Sequence, residues 1–286
     1  MIYTSFEDMA SVIRTNLWKI PYDVDLIVGV PRSGMIPALM IAELMNRRCA
    51  DLDAFIEGRE MSCGNRQRFM TNAGKAGKVL VIDDTYYSGD AMRKTKERLA
   101  PLEGKYEILY GCVYAEGRKA KNAVDVWLYD IWRPGEKMWL YEWNIMHHWP
   151  KKTDVSMWDV DGLLCKNPPD DRDTKAYEEY LPNAVPMIIP TTRIGAFVTY
   201  RLEKYRGVTE GWMKKHGIEY GQLHMFNAPD RDARNGTMSP AKFKARIYRD
   251  AAWAQLFCES DADQAEKIFK RTGKPVFCYE NGQMYM

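Results

Sequence analysis

The segment from Val79 to Leu99 constrains the fold more than any other. An apolar run, Val79 to Ile82, stops at two consecutive aspartates, Asp83 and Asp84, passes through Thr85 to Gly89, and enters a helix predicted from about Asp90 to Leu99. A buried strand that ends in charge and turns through glycine into a helix is half of a parallel α/β unit. The same succession occurs earlier. Asp25 to Val30 is apolar, Pro31-Arg32-Ser33-Gly34 is a tight turn, and Met35 to Met45 carries apolar residues at helical spacing. Ile108 to Tyr114 and Val124 to Ile131 supply two further strands, so the first half reads as a mostly parallel sheet with helices between its strands.

The second half repeats the logic with different chemistry at the turns. Val155 to Trp158 ends in Asp159-Val160-Asp161-Gly162. Ile194 to Val198 ends at Thr199 and precedes a helix predicted from about Leu202 to His216. Ala254 to Cys258 ends in Glu259-Ser260-Asp261, followed by a helix to Arg271 and a strand from Val276 to Tyr279. Polar residues thus gather at the carboxyl ends of strands, the edge where open α/β sheets bind ligands. A chain of 286 residues with 46% hydrophobic content can bury a core in each half. The shift in composition at Pro150 to Asp154 divides it into domains 1–150 and 151–286.

Forty-one basic against 39 acidic residues leave a net charge of +2, so no whole-chain field draws the protein to nucleic acid or an anionic membrane. Anion binding must be local. The six cysteines show no CxxC spacing and read as reduced packing residues. The start, MIYTSFED, lacks the pattern of a signal peptide, and 18 apolar residues nowhere occur together; a cytoplasmic protein is expected. His147 and His148 lack a Cys or His partner at ligand spacing, so no zinc site is expected.

Two adjacent acids ahead of a small-residue turn and a helix start can hold a ribose 5-phosphate. The carboxylates accept from sugar hydroxyls, while the backbone N–H groups of Thr85, Tyr86, Tyr87, Ser88 and Gly89 and the hydroxyls of Thr85 and Ser88 surround the phosphate. The stretch VLVIDDTYYSGDAM, Val79 to Met92, resembles the phosphoribosyl pyrophosphate (PRPP) motif of the type I phosphoribosyltransferases, with Ser88-Gly89 where Thr-Gly is commoner. GVPRSGMIPA, Gly29 to Ala38, is similar to that family's pyrophosphate loop. The resemblance covers roughly residues 1 to 130. It implies that Arg32, Ser33 and Gly34 contact the pyrophosphate, that Mg²⁺ bridges it, and that the basic loop 57 to 77 closes over the site. No separate segment clearly supplies a hood over a nucleobase; residues 1 to 22 or the aromatic stretch 127 to 149 are the candidates.

Asp159-Val160-Asp161-Gly162 resembles the first motif of the haloacid-dehalogenase-like (HAD) superfamily. The resemblance assigns Asp159 as nucleophile and Mg²⁺ ligand and Asp161 as general acid/base and metal ligand. It makes Thr199 the phosphoryl-binding hydroxyl and Lys244 or Lys242 the neutralising ammonium. Asp261, with Glu259 beside it, completes the Mg²⁺ site. The segments between these motifs are too short for a full cap, so the first domain or a second subunit is expected to cover the site, and a homo-oligomer is compatible with this. Arg193, Arg201, Asp170, Asp171 and Asp173 read as surface charge, and Arg201 to Arg206 as the solvated face of a helix.

The expected architecture is therefore α/β with two doubly wound domains, a phosphoribosyltransferase-like sheet followed by a HAD-like Rossmannoid sheet with a minimal cap. The expected function is bifunctional: transfer of 5-phosphoribose from PRPP to a nitrogenous acceptor, and hydrolysis of a phosphomonoester of that product or a related nucleotide. The rival expectation is a PRPP- or nucleotide-sensing first domain that regulates a Mg²⁺-dependent phosphatase.

Overall fold

The computed structural model describes residues 1–61, 77–135, 139–147, 153–172 and 174–286. Most of the basic loop 57 to 77, including Arg66, Arg68 and Lys75, lies outside the described residues, as do Cys63, His148 and Asp173. The chain divides into two compact units, Met1–Trp139 and Leu140–Met286, and the aromatic stretch 138 to 149 straddles the division.

In the first unit the strands β1 (Leu26–Gly29), β2 (Arg48–Asp51), β3 (Lys78–Tyr86), β4 (Glu107–Ala115) and β5 (Val126–Asp130) form a parallel sheet in the order β2-β1-β3-β4-β5. Helix α1 (Phe6–Asn16) opens on a capping box in which the Ser5 hydroxyl accepts from the Asp8 amide and the Asp8 carboxylate accepts from the Ser5 amide. Helix α2 (Met35–Met45) follows β1 and stops at Asn46, whose left-handed backbone ends the helix. After the short α3 (Leu52–Ile56) and β3 comes α4 (Asp90–Leu99), which buries Met92, Thr95 and Leu99 on one face. That spacing explains why this charged segment is helical: one narrow apolar stripe meets the sheet and the rest is solvated. A single turn, α5 (Gly117–Ala120), follows β4. The central strands β1 and β3 are buried on both faces from Leu26 to Val28 and from Val79 to Ile82, as an all-parallel sheet requires.

In the second unit β6 (Ser156–Trp158), β7 (Ile194–Leu202), β8 (Tyr220–Phe226), β9 (Leu256–Glu259), β10 (Val276–Cys278) and β11 (Met284–Tyr285) are ordered β8-β7-β6-β9-β10-β11, parallel except for the final pair. The intervening helices needed below are α6 (Thr174–Asn183), α7 (Arg206–Lys215), α8 (Arg231–Thr237), α9 (Pro240–Asp250) and α10 (Ala262–Thr272). Met157, Trp158, Phe197, Val198, Phe257 and Val276 are all but inaccessible, each apolar side chain of this size stabilising the unit by about 1.5–3 kcal/mol on burial. Cys49, Cys112, Cys165, Cys258 and Cys278 are buried free thiols.

Two strands run well past their sequence readings: β3 continues beyond Ile82 through Asp83 and Asp84 to Tyr86, so both acids lie within the strand. β7 continues past Thr199 to Leu202, and α7 starts at Arg206 after a short 3₁₀ turn at Glu203–Tyr205. Arg201 is accordingly a strand residue with 2% exposure, not part of a solvated helical face. Strand β8 and helix α9 have no counterpart in the sequence reading. Tyr220–Phe226 carries Gly221, Gln222 and His224 because it is an edge strand with a partly exposed face, which weakens the apolar pattern.

Candidate functional site

Both units place their polar residues at the carboxyl edge of the sheet. In the first, β1 and β3 are neighbours with Gly29 opposite Ile82, and the Val30 amide donates to the Ile82 carbonyl at 3.0 Å. This register sets the turn Pro31-Arg32-Ser33-Gly34 against Asp83. A Cβ on Gly34 would lie 2.5 Å from the Val30 oxygen and 2.9 Å from Asp83 Oδ1, so this approach needs glycine. Arg32 is exposed and Ser33 half-buried at the rim.

Asp83 and Asp84 are 9% and 7% exposed, and Asp83 Oδ1 accepts from the Asp84 amide at 2.8 Å. Burial first, then the neighbouring Asp84 carboxylate, push the Asp83 carboxyl well above the usual range. Beyond them Thr85 Oγ1 is buried without a hydrogen-bond partner. Tyr86 folds its ring over Gly89, whose φ of 85° makes the sharp entry into α4, and the Ser88 hydroxyl bonds Asp90 at 3.1 Å. Tyr87 is 63% exposed, edge-on to Trp139 at 5.3 Å. Strand, acids, loop and PRSG turn thus converge on one edge, where the fold supplies no hydrogen-bonding partner to the buried Thr85 hydroxyl.

In the second unit the acids divide into two groups. Lys244 on α9 is 2% exposed, and its ammonium donates to Asp159 Oδ2 and Glu259 Oε2, each at 2.8 Å, and to Gln264 Oε1 at 3.1 Å. Glu259 is fully buried and its other oxygen accepts from the Ser260 amide at 2.9 Å. Two carboxylates against one ammonium leave a negative charge in a desolvated site. Burial first, then Glu259, raise the Asp159 carboxyl well above its ordinary value, although Lys244 opposes this. Burial works against the charge on Lys244, but Asp159 and Glu259 outweigh it and hold the ammonium protonated. Lys242 is exposed, and Asp261 is an exposed helix cap that accepts from the Gln264 amide at 2.7 Å. Of the paired alternatives, Lys244 and Glu259 are the members brought to Asp159.

Asp161 stands with Arg201 instead. Arg201 Nε lies 2.9 Å from Asp161 Oδ2, its Nη2 lies 2.5 Å from Oδ1, and its amide donates to Thr199 Oγ1 at 3.3 Å. Thr199 and Arg201 alternate along β7, so they share a face, which is the signal in the sequence that would have marked Arg201. Gly162 turns the chain with φ of 79°, and a Cβ there would meet Ser260 Oγ at 2.6 Å, the hydroxyl that donates to the Asp161 carbonyl at 3.0 Å. Arg193 is exposed and paired with Asp154, as surface charge should be, whereas Asp171 binds both Arg231 and Arg234, neither of which the sequence singled out.

Among the described residues no group of three or more His, Cys, Asp or Glu is placed to hold a metal ion, and Asp159, Asp161 and Asp261 do not converge. Asp159 and Glu259 offer oxygen donors of the kind that Mg²⁺ takes, one or two carboxylates with water and phosphate oxygens completing its shell. Among the described residues no helix is long and apolar enough to cross a membrane.

No protein-family model and no curated relative matches the sequence. Similar solved structures exist. The Helicobacter pylori xanthine-guanine-hypoxanthine phosphoribosyltransferase is 15% identical, with 50% of this chain and 92% of that chain covered at a TM-score of 0.34. The purine phosphoribosyltransferase of Pyrococcus horikoshii is 19% identical, with 50% and 93% covered at a TM-score of 0.36. A chain of the Pnkp1/Rnl/Hen1 complex is 12% identical, with 97% and 94% covered at a TM-score of 0.34.

Proposed function

We propose that the chain is a bifunctional enzyme whose first unit transfers 5-phosphoribose from PRPP to a nitrogenous acceptor and whose second unit hydrolyses a phosphomonoester of that product or a related nucleotide. For the first activity the carrying observation is the close approach of Gly34 to Asp83, which supports reading the PRSG turn and the Asp83 to Gly89 segment as one site. Asp83 and Asp84 would accept the ribose hydroxyls, and Thr85 Oγ1 with the backbone of Tyr86 to Gly89 would take the 5-phosphate. Arg32, Ser33 and the Gly34 amide would meet the pyrophosphate. The bond from the anomeric carbon to pyrophosphate breaks as the acceptor nitrogen bonds to that carbon, and the acids serve by position and charge, not as nucleophiles.

For the second activity the buried triad of Asp159, Lys244 and Glu259 carries the reading. Asp159 would attack phosphorus through a carboxylate oxygen, the ester P–O bond would break, and water would then release phosphate from the aspartyl group. Lys244 and the Thr199 hydroxyl would balance and orient the phosphoryl oxygens. Asp161, oriented by Arg201, would give a proton to the leaving ester oxygen in the first step and take one back from the attacking water in the second, which restores it. Bound Mg²⁺ would neutralise charge on the phosphoryl group in either unit, held by Asp159 and Glu259 in the second.

The test is to incubate the protein with PRPP, Mg²⁺ and a panel of bases and to follow pyrophosphate and inorganic phosphate separately. Release of pyrophosphate dependent on one base establishes the first activity. PRPP binding without pyrophosphate release from any base would overturn it and make the first unit a sensor.

A further inference from the structure

A cavity of about 270 Å³ opens in the second unit, at the carboxyl ends of β7 and β8. Asp171, Tyr177, Lys204, Tyr205, Arg231 and Arg234 supply its chemistry. None of the groups placed above at the phosphoryl site lines it, yet it adjoins that site. Leu202 in its wall follows Arg201, the partner of Asp161, and the hydroxyl of Tyr177 is pushed upward by burial and then by the Asp161 carboxylate.

Two guanidinium groups converge in this cavity on one carboxylate. Arg231 Nε donates to Asp171 Oδ1 at 2.7 Å and Arg234 Nη2 to Oδ2 at 2.5 Å. Arg234 is 7% exposed and held in place from behind, with Nη1 donating to the Tyr200 carbonyl at 3.0 Å and its guanidinium over the Tyr200 ring at 4.4 Å. Lys204 adds an ammonium over Tyr205 at 4.9 Å. Of the other wall carboxylates, Asp230 caps the Ala233 amide at 2.9 Å, and Asp232, largely exposed, shares Arg231 with Asp171 through Nη1 at 3.2 Å. A phosphate, with more oxygens and more charge than a carboxylate, satisfies two guanidinium forks better than Asp171 does. Tyr177 and Tyr205, with ring centroids 5.4 Å apart, offer an aromatic wall beside it.

We propose that this cavity binds a second phosphate of the phosphatase substrate, which is therefore a small bisphosphorylated molecule of the nucleoside bisphosphate class. One phosphoryl group goes to Asp159 and the other to Arg231, Arg234 and Lys204. The inference rests on the phosphatase reading. A small molecule is favoured over a polymer because the chain's near-balanced charge provides no broad field for a polyanion.

The probes are adenosine 3′,5′-bisphosphate, adenosine 5′-monophosphate and p-nitrophenyl phosphate, offered to the full chain. Calorimetric titration of the Asp159→Asn protein reads binding without turnover, alone and combined with Arg231→Gln or, should that not fold, Lys204→Gln. The bisphosphate should bind at least tenfold more tightly than the monophosphate, and the cavity variants should abolish that advantage. Wild-type kcat/KM should show the same preference, and the ratio of bisphosphate to aryl phosphate should fall at least tenfold in Arg231→Gln. Equal binding of the two nucleotides, or an advantage that survives both cavity variants, overturns the proposal. Tenfold tighter binding of a terminally phosphorylated oligonucleotide than of the bisphosphate overturns the small-molecule assignment. Failure of the wild type to hydrolyse any ester defeats the phosphatase reading instead, and the titrations still report on the cavity.

Discussion

Arg201 reaches from the end of β7 to clamp Asp161, with Nε 2.9 Å from Oδ2 and Nη2 2.5 Å from Oδ1, so the second acid of the DxDG turn is oriented by a buried cation. Arg201→Met should leave Asp161 without this partner. The expected loss in kcat for phosphate ester hydrolysis is about 10²-fold, comparable to removing one preorganised charge partner at a reacting centre. Stability should fall by about 3 kcal/mol, because one member of a largely buried pair is left alone. Arg201→Lys, which keeps the charge but cannot fork, should recover part of the stability and little of the rate. Thermal unfolding and steady-state kinetics on the same samples check both.

Asp159→Asn should abolish phosphate release, by at least about 10³-fold, as expected for loss of a nucleophile. The fold should tolerate it, since Lys244 keeps Glu259 as a partner and the triad's excess negative charge disappears. Pyrophosphate release in the same protein should be unchanged. Phosphatase activity surviving the substitution would put the nucleophile elsewhere.

Asp83→Asn should trade ligand affinity for stability in a pH-dependent way. The folded protein holds the Asp83 proton more tightly than the unfolded chain does, so the associated stability is complete below the ordinary value of 3.8 and is lost as pH rises through the raised folded value. At neutral pH, above that ordinary value, the fold resists ionising Asp83, a burden that Asn removes while its Oδ1 can still accept from the Asp84 amide. Stability at pH 7 should rise by on the order of 1 kcal/mol, with no gain near pH 3. PRPP affinity at pH 7 should fall at least tenfold, as about 1.5–3 kcal/mol rides on each charged hydrogen bond. Denaturant titrations at the two pH values and a PRPP binding isotherm measure these shifts.

Gly34→Ala should damage the first site alone. Its Cβ would stand 2.5 Å from a backbone oxygen, which cannot swing away as a side chain would, so the PRSG turn must move off Asp83. PRPP binding should weaken by tenfold or more with phosphate ester hydrolysis intact. Undiminished PRPP binding would show that the turn does not contribute to that site.

Much of the fold was readable because it is written in short, strongly apolar strands and in turns with unusual chemistry. Met35 to Met45 and Asp90 to Leu99 are helices with the bounds their spacing predicts. Residues that act through local geometry were legible too, as with Gly89 and Gly162, whose positive φ angles are the reason for glycine at those turns. Less legible was anything whose role depends on a partner far along the chain. Arg201 looked like one more charge in RLEKYR until β7 proved long enough to carry it inward to Asp161. Glu259 and Asp261 are equivalent acids on paper, and only the buried position of the last residue of β9, against the exposed cap of α10, separates them.

The sequence by itself determined that the chain forms α/β structure with polar groups at strand ends, because periodicity and turn chemistry are local properties. It also determined the order in which Asp83, Asp84, Asp159 and Asp161 meet their turns. The tertiary structure alone decided which charges face each other: Lys244 with Asp159 and Glu259, Arg201 with Asp161, and Arg231 with Arg234 on Asp171. The physical reason is that the energy of an ion pair depends on distance and burial, and both are set by sheet order and helix packing between segments that sequence spacing leaves unrelated.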